Sequence, residues 1–242
     1  MAISPRSAHF SYSYPAPSSQ FGERRGVDRP ASLCRGRMPR ARGTVAYVRD
    51  GYGAFRQPKF QCYCCEMLVF MFCGARQYLY VFSLHHNPDL DDRIFDCLLT
   101  SKAAVQAEDV HASFLFVCDL NGHHQKWLGS TTTNRHGVAA FDFASKSGCD
   151  QLVVDLTHTL DGPLDLLMTD VPDLVQVSVV APIGNSDHPT LSAVVLMAQA
   201  VPNLSVSREF SLNIKLIIIQ FIVQYRICSG VTFGLLTILL RF

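Results

Sequence analysis

The sequence predicts an α/β layered body, and two observations carry that reading. Apolar strand-like runs outnumber helical segments along the chain. Several of those runs are apolar on both faces, as strands are when helices or a second sheet cover both sides.

The elements follow in order. "TVAYVRD" (44–50) alternates as a half-buried strand does and stops at the turn signal "DGYG". "EMLVFMFC" (66–73), opened by Glu66, predicts a second strand, and "YLYVFSL" (78–84) a third that runs out at "HHNPD". Gly74 and its neighbours make the hairpin between them. Asp91 or Asp92 caps a helix reaching about Ala107, with Ile94, Phe95, Leu98, Leu99 and Val105 on its inner side. "SFLFVC" (113–118) is a fourth strand, and "HGVAAFDFASKSG" (136–148) a helix closed by Gly148. Apolar stretches at 151–155, 164–168, 175–181 and 191–198 complete the set, and no internal repeat is present.

A length of 242 residues suits one large α/β domain or two small ones, and 48% hydrophobic residues suffice for a substantial core. Net charge is +1, but it is unevenly spread. Residues 1–43 carry eight arginines against Glu23 and Asp28, a net of +6, which leaves −5 for the remainder. A basic arm before a mildly acidic body fits a nucleic-acid contact. Its Ser, Pro and Arg content favours a disordered leader. The nine cysteines are odd in number, lack a CxxC pair and sit mostly in apolar runs. That pattern predicts free thiols in a reducing compartment, and the 62–65 cluster has the wrong spacing for a zinc knuckle. "MAISPRSAHFSYSYP" has no apolar signal-peptide core, so an intracellular location, the nucleus included, is expected. The tail Leu216–Phe242 is very apolar, but Gln220, Gln224 and Arg226 interrupt it. Its clean run, Ile227–Leu240, is fourteen residues, short of the roughly 20 that a spanning helix needs. A packed helix or strand, or a tail foreign to the domain, is expected there rather than a membrane anchor.

The unusual polar residues fall at strand ends. Glu66 begins a strand; His85, His86 and Asn87 end the next; Asp119 and Asn121 end the fourth. Asp165 lies one residue into the apolar run of "PLDLLMTD", and Ser186, Asp187 and His188 form the loop "GNSDHPT" between two strands. Strand ends in layered sheets can converge on one rim. This inventory matches phosphodiester hydrolysis: carboxylate oxygens for a hard divalent cation, a carboxylate base for water, and amide or imidazole donors for phosphate oxygens. A lone Asp at a strand end is usually a turn or cap residue, so only the combination is specific.

"CDLNGHHQKWLGS", "GPLDLLMTDVPDL" and "PIGNSDHPTLSAV" resemble the later motifs of the endonuclease–exonuclease–phosphatase family, and in particular the apurinic-type endonuclease domain of non-LTR retrotransposons. The likeness covers about residues 44–200. It implies a DNase I-like, four-layered α/β sandwich and a DNA-nicking hydrolase using Mg²⁺ or Mn²⁺, with DNA as partner. By that resemblance Glu66 is the metal-binding glutamate, and Asp119 handles the attacking water or the leaving-group proton. Asn121 holds the phosphate, Asp165 orients the histidine, and Asp187 lies on the metal side. His188 stands at the scissile phosphate, supported by Ser186, with His85 and Asn87 near the substrate. His123 and His124 are outside the motif and are expected in a solvated loop.

Three departures stand out. No strand ending in the family's first asparagine precedes residue 45, so the fold is expected to lack its first strand and helix. His85 stands where the family has a tyrosine. Cys118 replaces the glycine before the aspartate and is expected to crowd the site. The resulting expectation is a disordered basic leader (1–43), a partial endonuclease domain (44–200) and an apolar tail (201–242), with impaired catalysis. The alternatives are an inactive remnant that binds nucleic acid at most through its basic arm, a phosphatase of lipid or nucleotide substrates on the same fold, and a small membrane-associated protein.

Overall fold

The structure is a computed structural model. It describes residues 34–35, 43–48, 54–62, 66–74, 77–86, 92–155, 157, 164–182, 189–200, 214–228 and 231–241. The strands, in chain order, are β1 (Cys34–Arg35), β2 (Gly43–Val48), β3 (Ala54–Arg56), β4 (Glu66–Cys73), β5 (Tyr78–His85), β6 (Ser113–Asp119), β7 (Asp150–Gln151), β8 (Asp165–Thr169), β9 (Val175–Val180), β10 (Thr190–Ala200), β11 (Ile214–Cys228) and β12 (Val231–Arg241). The helices are α1 (Arg93–Glu108), α2 (Gln125–Leu128) and α3 (Arg135–Ser147).

The strands form two six-stranded sheets. One has the order β1-β2-β12-β11-β10-β9, the other β3-β4-β5-β6-β8-β7. Their inner faces share one core. Leu68, Phe70, Leu115, Val117 and Leu167 of the second sheet meet Ala46, Val175, Leu191, Ala193 and Val195 of the first. The outer face of the second sheet carries a separate core, in which Phe82, Phe116, Leu84 and Leu166 pack beneath Leu98, Val105, Ala140 and Phe143 of α1 and α3. The architecture is thus an α/β sandwich, as the sequence predicts. Helices, sheet and sheet, three of the four expected layers, are built from described residues. The expected loss of a first strand and helix falls largely on residues outside them.

Two apolar faces explain why the central strands read as continuous hydrophobic runs. Every residue of β6 is buried, because alternate side chains enter opposite cores. α1 presents Ile94, Phe95, Leu98 and Val105 to the sheet at helical spacing. Its Lys102 is buried yet satisfied: Nζ donates to the Ser147 carbonyl, lies 3.4 Å from Asp170 Oδ2 and sits over the Phe114 ring. α3 starts at Asn134, whose side chain accepts from the Gly137 amide, and stops at Gly148, at φ 65°. A left-handed residue there costs glycine least.

The apolar segment 214–241 forms the paired strands β11 and β12. They lie inside the first sheet, with β11 against β10 and β12 parallel to β2. Among the described residues no helix is long and apolar enough to cross a membrane. Cys73, Cys97, Cys118 and Cys149 are free thiols as expected, but Cys62 is disulfide-bonded, so the reading of free cysteines does not hold at that position.

Candidate active site

Four of the candidate residues share one row across the second sheet. Glu66 is the register partner of His85, His85 of Asp119, and Asp119 of Asp165. The directions of the strands make this consistent. β4 and β8 begin at the row, whereas β5 and β6 end at it, because β4 and β8 run antiparallel to their neighbours while β5 and β6 are parallel. Side chains of laterally paired residues fall on the same face of a sheet. Val117 and Leu167, two residues from Asp119 and Asp165, belong to the core between the sheets. His85, Asp119 and Asp165 are therefore on that face, at its rim. All three are buried, and His85 Nε2 lies 3.8 Å from Asp119 Oδ2.

The pleat also settles the two residues that depart from the family's pattern. Cys118 belongs to the helix-side core with Leu84 and Leu166. It points away from Asp119 and does not crowd the row, contrary to the expectation from sequence. His85 faces the row, and its neighbour His86 turns to the helix side, where its ring meets Phe95 and His136.

Electrostatics make the row chemically distinctive. Lateral neighbours in an antiparallel pair are about 5 Å apart. Unit charges at about that spacing repel by about 3 kcal/mol at an effective dielectric of about 20. Buried Asp119 and Asp165 side by side concentrate negative charge that a positive group or a bound cation would offset. His85 supplies part of that positive charge when protonated. Hard carboxylate oxygens at a sheet rim also fit a divalent cation.

Past the row the chain turns sharply. Asn121 adopts φ 48°, a left-handed conformation that Asn tolerates better than most residues. Its amide Nδ2 donates to the His86 carbonyl at 3.0 Å, and the His86 amide donates to the Asp119 carbonyl at 2.8 Å. One of its two Nδ2 hydrogens is thus used for positioning, and the inventory of an amide leaves a second for a ligand.

Supporting residues emerge that sequence reading misses. Asn134 Oδ1 accepts from the amides of His123 and Gly137, and its Nδ2 donates to the Asn121 carbonyl at 3.1 Å. One side chain therefore caps α3 and clamps the loop carrying Asn121. Thr157, fully buried, accepts through Oγ1 from the amides of Leu164 and Asp165, which holds the start of β8. The cap signal of Asn134 before a helical run was legible; its second bond to a distant loop was not. His124 caps α2 by accepting from the Trp127 amide and packs 5.2 Å from the Phe141 ring. His123 and His124 are half-buried, so the expectation of a solvated loop is corrected.

Glu66 is described here through its strand and register alone. Asn87, Ser186, Asp187 and His188 lie outside the described residues; the last three belong to the connection between β9 and β10.

No protein-family model and no curated protein sequence matches the chain. Among solved structures it is similar to the endonuclease domain of TRAS1, a telomere-specific non-LTR retrotransposon, at 17% identity and a TM-score of 0.47. The similarity covers 58% of this chain and 66% of that one, so the chain spans just under two thirds of that domain's length.

Proposed function

We propose that the chain is a metal-dependent phosphodiesterase that nicks DNA. The observation that carries this reading is the lateral row Glu66–His85–Asp119–Asp165 on four adjacent strands. Four polar residues picked out separately from the sequence share one register position, and two of them are buried carboxylates. Chance turn residues have no reason to share it.

In this reading Glu66 and Asp187 hold Mg²⁺ or Mn²⁺, and the bound cation supplies positive charge to the phosphate. Asp119 accepts a proton from the attacking water or passes one to the leaving oxygen. Its burial beside His85 keeps its orientation fixed. Asn121, tethered through Nδ2 to the His86 carbonyl, offers its second N–H to a phosphate oxygen. Asp165 orients His188, which stabilises charge on the scissile phosphate with Ser186 in support; His85 and Asn87 border the substrate. DNA is the substrate proposed on the motif resemblance, with the arginine-rich leader adding sequence-independent attraction to its backbone. A partial domain at residues 44–200, an intracellular or nuclear location and a retroelement origin belong to the same proposal.

Supercoiled plasmid tests it. The full chain with Mg²⁺ is expected to convert supercoiled to open-circular DNA. EDTA should abolish conversion, and Asp119→Asn and His188→Ala should each slow it by at least about 100-fold, the size of a lost acid–base or charge-stabilising group. A folded wild-type chain that leaves the plasmid supercoiled would favour the alternative, an inactive remnant that at most binds nucleic acid.

A further inference from the structure

We propose that His86, Asp92 and His136 bind a transition-metal ion of the zinc class, at a site separate from the carboxylate row. The three residues come from three elements. His86 follows the last residue of β5, Asp92 is the N-cap of α1, and His136 lies in the first turn of α3. One donor atom from each lies within 4.8 Å of the other two. A tetrahedral set with bonds of about 2.1 Å has donors about 3.4 Å apart, so side-chain rotations of about 1 Å close the site.

The donor chemistry selects the ion. Two imidazoles and one carboxylate form an N/N/O set that zinc accepts with a water in the fourth position. Magnesium and calcium prefer oxygen alone. Both histidines are buried, and Asp92 is half-buried, which leaves the carboxylate side open. The three side chains already adjoin: His136 Nδ1 lies 2.6 Å from Asp92 Oδ1, and the His86 ring sits edge-on to His136 at 4.7 Å. Asp92 makes no side-chain bond to its own helix cap. That is unusual for an N-cap aspartate; its carboxylate instead contacts His136.

Surrounding charge weighs both ways. Arg135 Nε lies 3.7 Å from Asp92 Oδ2 and steadies the carboxylate oxygen that faces away from His136. Its positive charge opposes a cation, but the guanidinium is largely exposed and so screened. A cavity of about 370 Å³ between α1 and α3 reaches Asp92, the open side of the cluster, and there Asp92, Asp96 and Asp142 outnumber Arg93 and Lys146. An ion bound there would staple β5 to α1 and α3. Through the His86 backbone, which contacts the Asp119 carbonyl and the Asn121 amide, it would also stiffen the turn behind the carboxylate row. The site stands independently of any nuclease activity.

The test titrates the full chain with Co²⁺ alone, as a spectroscopic substitute for zinc, and then displaces it with Zn²⁺. The expected result is saturable growth of the intense visible bands of one four-coordinate nitrogen–oxygen Co²⁺; an ion on the all-oxygen carboxylates of the row would be six-coordinate and only weakly coloured, so the bands report this site alone. Asp92→Asn and His136→Gln should each weaken binding at least about tenfold. Zn²⁺ should raise the thermal midpoint of the wild type and not of the variants. Circular dichroism checks that the variants fold; should His136→Gln not fold, the half-exposed Asp92→Asn decides. No saturable four-coordinate Co²⁺ bands in the folded wild type, or the same bands at equal affinity in Asp92→Asn, would overturn the proposal. So would near-ultraviolet thiolate charge-transfer bands, which would move the ion to the cysteines.

Discussion

Thr157 and Gly137 show how single residues set the geometry of the row and its turn. Thr157 Oγ1 satisfies two amides, those of Leu164 and Asp165. Thr157→Val keeps the shape but orphans both amides, at about 1–3 kcal/mol for each buried unsatisfied group. A loss of about 2–6 kcal/mol in urea unfolding is expected, largely recovered by Thr157→Ser; equal stability of the Val variant would show that the hydroxyl does not hold β8. At Gly137 a Cβ would stand 1.9 Å from the His123 carbonyl oxygen. That neighbour is backbone, so it must move. Gly137→Ala is expected to cost about 1–3 kcal/mol, as overpacking does. It should also disturb the loop of Asn121, with a lower unfolding midpoint and reduced nicking together.

At the scale of elements, α3 and β5 each depend on one polar group. Asn134→Ala removes a helix cap and two loop bonds. A cap alone is worth about 1 kcal/mol, so a loss above that figure in chemical denaturation would measure the clamp on the Asn121 loop, and a loss at or below it would show that the clamp is idle. In β5, burial pushes the Tyr80 phenol up to about 12, with Asp109 and Glu108 adding to the rise. The fold therefore favours the neutral phenol. Its contribution to stability is full below the unfolded value near 10 and is lost as pH rises from there toward 12. Tyr80→Phe, which keeps the ring contacts with Phe60 and Phe114, should flatten the fall of the thermal midpoint above pH 10. An unchanged slope would assign alkaline unfolding to other groups. The sequence made both elements legible, with β5 and α3 lying within one residue of their expected bounds. It did not reveal α2, four residues without a periodic pattern.

The whole molecule depends on β11 and β12 in a way their composition hides. They occupy the middle of the first sheet, between β10 and β2. Removing residues 201–242 would leave the long edge of β10 and the edge of β2 without partners, and unpaired apolar edges seek other chains. The truncated chain is expected to aggregate where the full chain stays soluble, measured by sedimentation after expression without detergent. A soluble, folded truncation would mean that the sandwich stands without them. The segment was hard to read because a strand covered on both faces, a buried helix and a short membrane segment all look like one apolar run.

What the sequence by itself determined is local: where strands and helices begin and end, and which polar residues stand at those ends. Hydrophobic period, capping residues and glycine stops act within a few residues and leave their mark in the chain. What only the tertiary structure decided is lateral. Glu66, His85, Asp119 and Asp165 come from strands spread over a hundred residues of sequence, and sheet order and register bring them to one row. Register also sent Cys118 to the helix side and His86 toward Asp92 and His136. Side-chain alternation says that neighbouring residues face opposite ways, but which way each faces depends on which sheet surface meets which core. Long-range packing decides that, and no local pattern records it.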